Sequence, residues 1–104
     1  MTITVRSRSG APIRLTDERW SHIVEEHCEL AGMREEVLQA IVEAERVIAG
    51  RGGELLGVRT LENDKLLVVV YREVSREDGF VITAFLTSRR VWLERRQQVW
   101  PSKN

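Results

Sequence analysis

The fold is decided by two apolar runs late in the chain, Leu66-Leu67-Val68-Val69-Val70-Tyr71 and Phe80-Val81-Ile82-Thr83-Ala84-Phe85-Leu86-Thr87. Both runs are rich in β-branched and aromatic residues, so we predict strands over residues 65–73 and 79–87. A third strand is predicted just upstream, over residues 54–61. Asn63-Asp64 would close a two-residue turn between the strands at 54–61 and 65–73, and residues 75–78 would connect the strands at 65–73 and 79–87. Together they predict an antiparallel meander.

Alternation along these strands predicts which side chains share a face, because a shift of one residue exchanges the two faces. One face is almost wholly apolar and is expected to meet helices: Leu56, Val58, Leu67, Val69, Tyr71, Ile82, Ala84 and Leu86. The other face combines an apolar floor with arginines and hydroxyls: Gly57, Arg59, Val68, Val70, Arg72, Thr83, Phe85 and Thr87. This mixed face has two interpretations, a surface covered by a C-terminal helix or a second subunit, and a binding groove.

Two helices are predicted ahead of the meander. Thr16 is a good N-cap for the first, which should end by Gly32, and the second should span about residues 33–45. The basic segment 89–96 predicts a helical tail, and residues 1–14 a short strand or loose arm. The predicted fold class is therefore α+β, with two N-terminal helices packed on one face of an antiparallel β-meander and a C-terminal helix.

The bulk composition sets limits on class and location. A chain of 104 residues predicts one domain, spanning 1–104, and its formal net charge is zero. The single cysteine, Cys28, argues against a disulfide or a cysteine-based metal cluster, so we expect no metal and no cofactor. The first residues show no signal-peptide pattern, and no apolar segment approaches membrane-spanning length. We therefore expect a cytoplasmic protein without a membrane partner.

The two histidines, His22 and His27, both lie on the first predicted helix. They are five positions apart, so they are predicted to point in different directions and not to form a two-histidine metal clamp. His27 continues the apolar stripe and is most simply a partly buried side chain, whereas His22 lies on the wet face and is most simply solvated. The functional alternative is that either acts as a general acid or base near neutral pH.

The remaining candidates lie on the late strands and the tail. Arginines there suit charge-assisted contacts with phosphate, and threonine hydroxyls suit a phosphate or a substrate hydroxyl. The simpler alternatives are solvated strand arginines, ordinary strand threonines, and the wet side of an amphipathic helix. These candidates are Arg59, Arg72, Thr83, Thr87, Arg89, Arg90, Arg95 and Arg96.

The order of elements carries a resemblance. It begins with Leu15-Thr16-Asp17-Glu18-Arg19-Trp20-Ser21-His22-Ile23, continues with His27 and a second acidic helix, and ends with Val81-Ile82-Thr83-Ala84-Phe85-Leu86-Thr87. Over about residues 13–100, this order resembles the barnase–EndoU–colicin–RelE-like (BECR) nuclease superfamily, nearest its small stand-alone bacterial and phage-type members. The resemblance implies an α+β fold and metal-independent RNA cleavage by the 2′-hydroxyl, often by the toxin of a toxin–antitoxin pair.

The expected function is therefore that of a small ribonuclease-like protein, with RNA and an antitoxin protein as partners. The resemblance implies His22 or His27, Arg59, and Thr83 or Thr87 as the matching positions, so the candidate catalytic residues are His22, His27, Arg59 and Thr83. The candidate substrate-binding residues are Arg72, Thr87, Arg89 and Arg90. A histidine would deprotonate the 2′-hydroxyl, and an arginine would stabilise the pentavalent charge. The alternative is a non-catalytic interaction module of the same fold, with a homodimer formed through Trp92 and Trp100.

Overall fold

The computed structural model describes residues 1–102. The strands are β1 (Thr2–Arg6), β2 (Pro12–Thr16), β3 (Arg46–Ala49), β4 (Leu55–Thr60), β5 (Leu66–Ser75), β6 (Asp78–Thr87) and β7 (Gln98–Trp100). The helices are α1 (Asp17–Glu26), α2 (Arg34–Val42) and the single turn α3 (Val91–Glu94), with short 3₁₀ segments at Cys28–Leu30 and Glu62–Asp64. The two helices α1 and α2 therefore follow a β-hairpin and precede the other five strands.

The seven strands form one mixed sheet in the order β1-β2-β6-β5-β4-β3-β7. The antiparallel β1-β2 hairpin joins β6 through a parallel pairing of Arg14 with Phe80, and β3 and β7 extend the opposite side. The predicted fold class is thus wrong, since the molecule is an α+β protein whose helices do not sit on a simple meander. Residues 1–14, predicted as a short strand or loose arm, contribute to the strands β1 and β2, and the predicted helical tail 89–96 contains the single turn α3, with β7 following it. The β1-β2 hairpin is held in the sheet by β6, which lies far away in sequence.

The loop between β4 and β5 shifts the predicted register by one residue. It contains three residues, Glu62–Asp64, and is closed by the Leu61 N–H donating to the Lys65 carbonyl at 2.7 Å. Asn63 and Asp64 adopt positive φ values of 65° and 60°, which these two residue types tolerate better than most. Arg59 consequently pairs with Leu67, and Leu56 and Val58 lie on the face opposite to the predicted one.

A bulge alters the pairing of β5 with β6. Val70 lies opposite Thr83 as predicted, but the register then shifts so that Tyr71 lies opposite Val81. Ile82 is the extra residue, and it is half-buried while Val81 takes the core position. The bulge therefore changes which side chains of β6 face the core at the point where α1 approaches the strand.

Both faces of the sheet are covered. On one face α1 and α2 pack over a core that includes Leu67, Val69 and Tyr71, where burial raises the pKa of the Tyr71 phenol. On the other face Leu93 of α3 lies over a second cluster, whose further buried members are Ile48, Leu56, Val58, Leu66 and Val68. The apolar floor that the sequence left open is therefore partly covered by α3.

Candidate functional site

Helix α1 lies along the edge of β6 that faces away from β5, beyond the point where β2 pairs with β6. The pairing of β2 with β6 is confined to Arg14 and Phe80, and α1 begins immediately after β2. Thr16 is the N-cap, as predicted, because its Oγ1 accepts from the Arg19 N–H at 3.0 Å. The Arg19 guanidinium in turn donates to the Ile82 carbonyl at 3.5 Å. A helix side chain thus meets the backbone of β6 where a strand would otherwise pair.

A cavity of about 290 Å³ opens between α1 and β6. Three of the four predicted catalytic residues line it, namely His22, His27 and Thr83. The remaining lining residues are Arg19, Ile23, Glu26 and Ile82. The structure therefore brings both histidines and a late-strand threonine to one concave surface at the edge of the sheet.

The histidines converge because α1 ends at Glu26. His27 is the C-cap, with φ −134° and ψ 71°, and its backbone N–H still donates to the Ile23 carbonyl at 2.8 Å. Since its backbone is not helical, the angle expected for two residues five apart on a helix does not apply. Arg19 was missed by the sequence reasoning, although its spacing of three from His22 places both side chains on one face of α1.

The two histidines have different surroundings. The His27 side chain is 31% exposed, with Nδ1 lying 3.6 Å from Oε1 of Glu29 and its ring centroid 6.2 Å from that of Phe85. The His22 side chain is 54% exposed and lies between Glu18 and Glu25, each at 4.0 Å from one ring nitrogen. The Glu29 carboxylate therefore lies beside Nδ1 of His27, within ion-pair distance.

Arg59 does not belong to this cavity. The register shift places it on the helix-covered face, where its guanidinium lies 3.5 Å from Oε2 of Glu43. It lines a separate cavity of about 280 Å³ with Glu35, Glu36, Gln39 and Leu61. Arg59 and Thr83 therefore lie on opposite sides of the sheet, because a one-residue slip reverses every side chain of a strand.

The predicted substrate-binding residues are also dispersed. Arg72 donates to the Gly52 carbonyl at 2.9 Å and lies 3.7 Å from Glu54. The Thr87 hydroxyl accepts from the Arg89 N–H at 3.1 Å, and Arg90 donates to the Asp64 carbonyl at 3.0 Å. Each of the three side chains Arg72, Thr87 and Arg90 thus has a structural partner, and none of them lines the α1–β6 cavity.

Comparison with known proteins gives no relative from which residue roles could be transferred. No protein-family model, curated protein or solved structure matches the chain. Across residues 1–102, no group of three histidine, cysteine or carboxylate side chains is arranged to hold a metal ion. In the same part of the chain, none of the helices has the length and apolar character needed to cross a bilayer.

Proposed function

We propose that this protein is a small ribonuclease-like enzyme that cleaves RNA by attack of the 2′-hydroxyl within the α1–β6 cavity. The observation that carries the proposal is that His22, His27 and Thr83 line the same cavity. Two imidazoles provide a general base and a general acid near neutral pH without any metal ion. We place the activity in the cytoplasm, as the toxin of a pair whose antitoxin protein would cover this cavity.

His27 is the proposed general base. Its Nε2 takes the proton of the 2′-hydroxyl, and the 2′-oxygen forms a bond to the adjacent phosphorus. Glu29, 3.6 Å from Nδ1, stabilises the imidazolium that forms through its negative charge. His22, which lies between Glu18 and Glu25, is the proposed general acid and donates a proton to the 5′-oxygen as the P–O5′ bond breaks. The products are a 2′,3′-cyclic phosphate and a free 5′-hydroxyl.

Arg19 takes the role that the sequence assigned to Arg59. Its guanidinium lies at the cavity beside the Ile82 carbonyl, within the same set of lining residues as the histidines. A guanidinium offers paired donors to the phosphate oxygens on which negative charge builds up in the transition state. The Thr83 hydroxyl adds a donor from β6, on the side of the cavity opposite α1.

The test is cleavage of a labelled single-stranded RNA by purified protein. His22→Ala and His27→Ala should each lower the rate about 10²- to 10⁴-fold, the usual contribution of a positioned acid or base. Arg19→Gln should lower it as well, whereas Arg76→Gln, in the exposed β5–β6 turn, should leave it unchanged. The same oligonucleotide made of DNA should resist cleavage, since it lacks the nucleophile.

Two results would reject the proposal. One is a folded wild-type protein, verified by circular dichroism, that cleaves no RNA and does not arrest growth when expressed. The other is a His22→Ala, His27→Ala double variant that cleaves as fast as the wild type. The Arg59→Gln variant distinguishes a catalytic role for Arg59 from a site in the α1–β6 cavity. A catalytic Arg59 requires Arg59→Gln to lower the cleavage rate as much as Arg19→Gln does, whereas a site in the cavity does not.

The second candidate is a non-catalytic interaction module. It is favoured by the exposed apolar residues of the C-terminal segment, Val91 at 62% and Val99 at 42%. Trp92 and Trp100 are both half-buried, and Trp100 carries the Arg8 guanidinium 4.2 Å from its ring centroid. Sedimentation equilibrium tests the homodimer, which requires a concentration-dependent mass that Val99→Asp abolishes.

A further inference from the structure

A second cavity, of about 390 Å³, lies beside α3 at the loop after β3. Three arginines and a tryptophan line it, Arg51, Arg95, Arg96 and Trp92, together with Ala49, Gly50 and Gln97. The lining contains no carboxylate, and within residues 1–102 none of the three arginines forms an ion pair. Although the chain has a formal net charge of zero, this cavity therefore concentrates positive charge.

A row of rings connects this arginine cavity to the α1–β6 cavity. The ring centroid of Phe85 lies 6.2 Å from that of His27 and 6.1 Å from that of Trp92, with interplanar angles of 38° and 30°. The Arg96 guanidinium lies 5.8 Å from the Trp92 ring centroid. We name His27, Phe85 and Trp92 the aromatic row. It leads from the histidine pair to the arginine cavity with one ring between its ends.

We propose that the arginine cavity and the aromatic row form a binding subsite for single-stranded RNA. In this proposal Arg51, Arg95 and Arg96 bind backbone phosphates, and a base stacks on Trp92. The choice of RNA rests on the proposed function, because His27 belongs to both the row and the histidine pair. Nucleotides on one side of the cleaved bond would then cross Phe85 and reach Trp92.

The chemistry favours a single strand over a duplex. Sequence-tolerant binding of single strands combines a positively charged groove with aromatic rings on which bases stack. In a duplex the base faces are occupied by neighbouring bases, so Trp92 would have no stacking partner. Arginine suits this surface better than lysine, since a planar guanidinium both pairs with phosphate oxygens and packs on aromatic rings. The Arg96 guanidinium already lies 5.8 Å from the Trp92 ring centroid.

The test measures binding separately from cleavage. A labelled 2′-O-methyl oligonucleotide lacks the free nucleophile, so fluorescence anisotropy reports affinity alone over a series of salt concentrations. The Arg51→Gln, Arg95→Gln double variant removes two exposed guanidinium groups. It should reduce the slope of log affinity against log salt by about 1.4, at about 0.7 for each phosphate contact of a single strand.

The matched control is Arg6→Gln, Arg76→Gln, which removes the same charge from exposed positions outside the cavity. It should leave the salt slope close to that of the wild type. Trp92→Leu should weaken binding about tenfold through lost base stacking. A blunt-ended duplex of the same sequence should bind more weakly than the single strand.

The subsite would be overturned if the two double variants reduced the salt slope equally. Equal affinity of the protein for duplex and single strand would also overturn it. The exposed arginine variants keep this test valid if Trp92→Leu disturbs packing. The two proposals can also fail separately. Binding selective for the single strand without cleavage would reject the nuclease and keep the subsite. Cleavage that depends on the histidines, with equal salt slopes for the two double variants, would keep the nuclease and reject the subsite.

Discussion

Replacing Gly79 by alanine tests the junction on which the mixed sheet depends. An added Cβ would lie 2.6 Å from Cδ1 of Ile13, 2.7 Å from the Arg72 carbonyl oxygen and 2.9 Å from the Pro12 carbonyl oxygen. Ile13 could turn its methyl group away, but the two oxygens belong to the backbones of β5 and β2. Because ordinary contacts begin near 3.4 Å, at least one of these strands must move. Overpacking of this kind costs about 1–3 kcal/mol, and two backbone clashes place Gly79→Ala near the upper end.

We therefore expect a loss of about 3 kcal/mol in the free energy of unfolding, corresponding to a drop in Tm of about 10–20 °C for a domain of this size. Urea and thermal unfolding followed by circular dichroism measure both quantities. Gly52→Ala is the matched control, because its Cβ would meet only the Glu54 side chain, at 3.0 Å. A Gly79→Ala variant as stable as Gly52→Ala would refute the close parallel approach of β2 to β6.

Three further predictions test other parts of the molecule. Leu93→Ala should lower the free energy of unfolding in urea by about 2–4 kcal/mol, because Leu93 is only 1% exposed. Val91→Ala, at a 62% exposed residue, should lower it by about 0.5 kcal/mol or less. Equal losses of stability for the two variants would contradict the packing of α3. Asn63→Val should cost about 1–2 kcal/mol at a φ of 65°, while Asn63→Gly should be nearly neutral; a neutral Asn63→Val would contradict the positive φ at this residue. The hydrogen bond from the Gly52 N–H lowers the pKa of Glu54 below its usual 4.5. The Glu54 carboxylate therefore stabilises the fold above about pH 4.5, and this stabilisation is lost as the pH falls through the lowered pKa. Unfolding measured between neutral and acidic pH should therefore show a weaker pH dependence for Glu54→Gln, and unchanged dependence would contradict this.

The sequence predicts well what local pattern determines. The strands β4, β5 and β6 lie within two residues of their expected bounds, and Thr16 caps α1 as its hydroxyl and position indicate. The register fails at Asn63 and Asp64, because two- and three-residue loops both accept these residue types, and only the three-residue loop gives the observed pairing. The one extra residue of the three-residue loop determines on which side of the sheet Arg59 lies, and therefore whether Arg59 belongs to the candidate site.

Residues 1–14 were predicted as a short strand or loose arm, but the places of the outer strands in the sheet were not predicted, because long-range pairing largely determines them. Arg46–Ala49 is a short apolar run, and Gln98–Trp100 is three residues long, so neither carries a strong strand pattern. Thr2–Arg6 does alternate polar and apolar residues, but a hairpin of this length is marginal without a sheet to join. In the sheet, β1 pairs with β2, which in turn pairs with β6, while β3 pairs with β4 and β7 pairs with β3.

The β1-β2 hairpin also explains why Arg19, and not the predicted Arg59, lies beside the histidines. Because β2 pairs with β6 only at Phe80, the chain leaves the sheet there and α1 passes Ile82 and Thr83. Two histidines on α1 can then meet a threonine of β6 at the edge of the sheet, and Arg19, one turn before His22, is the cation that this edge admits. Strand β6 itself carries no arginine between Asp78 and Thr87. The position of the proposed catalytic pair thus follows from where the β2–β6 pairing ends, which makes the junction at Gly79 a determinant of the site as well as of stability.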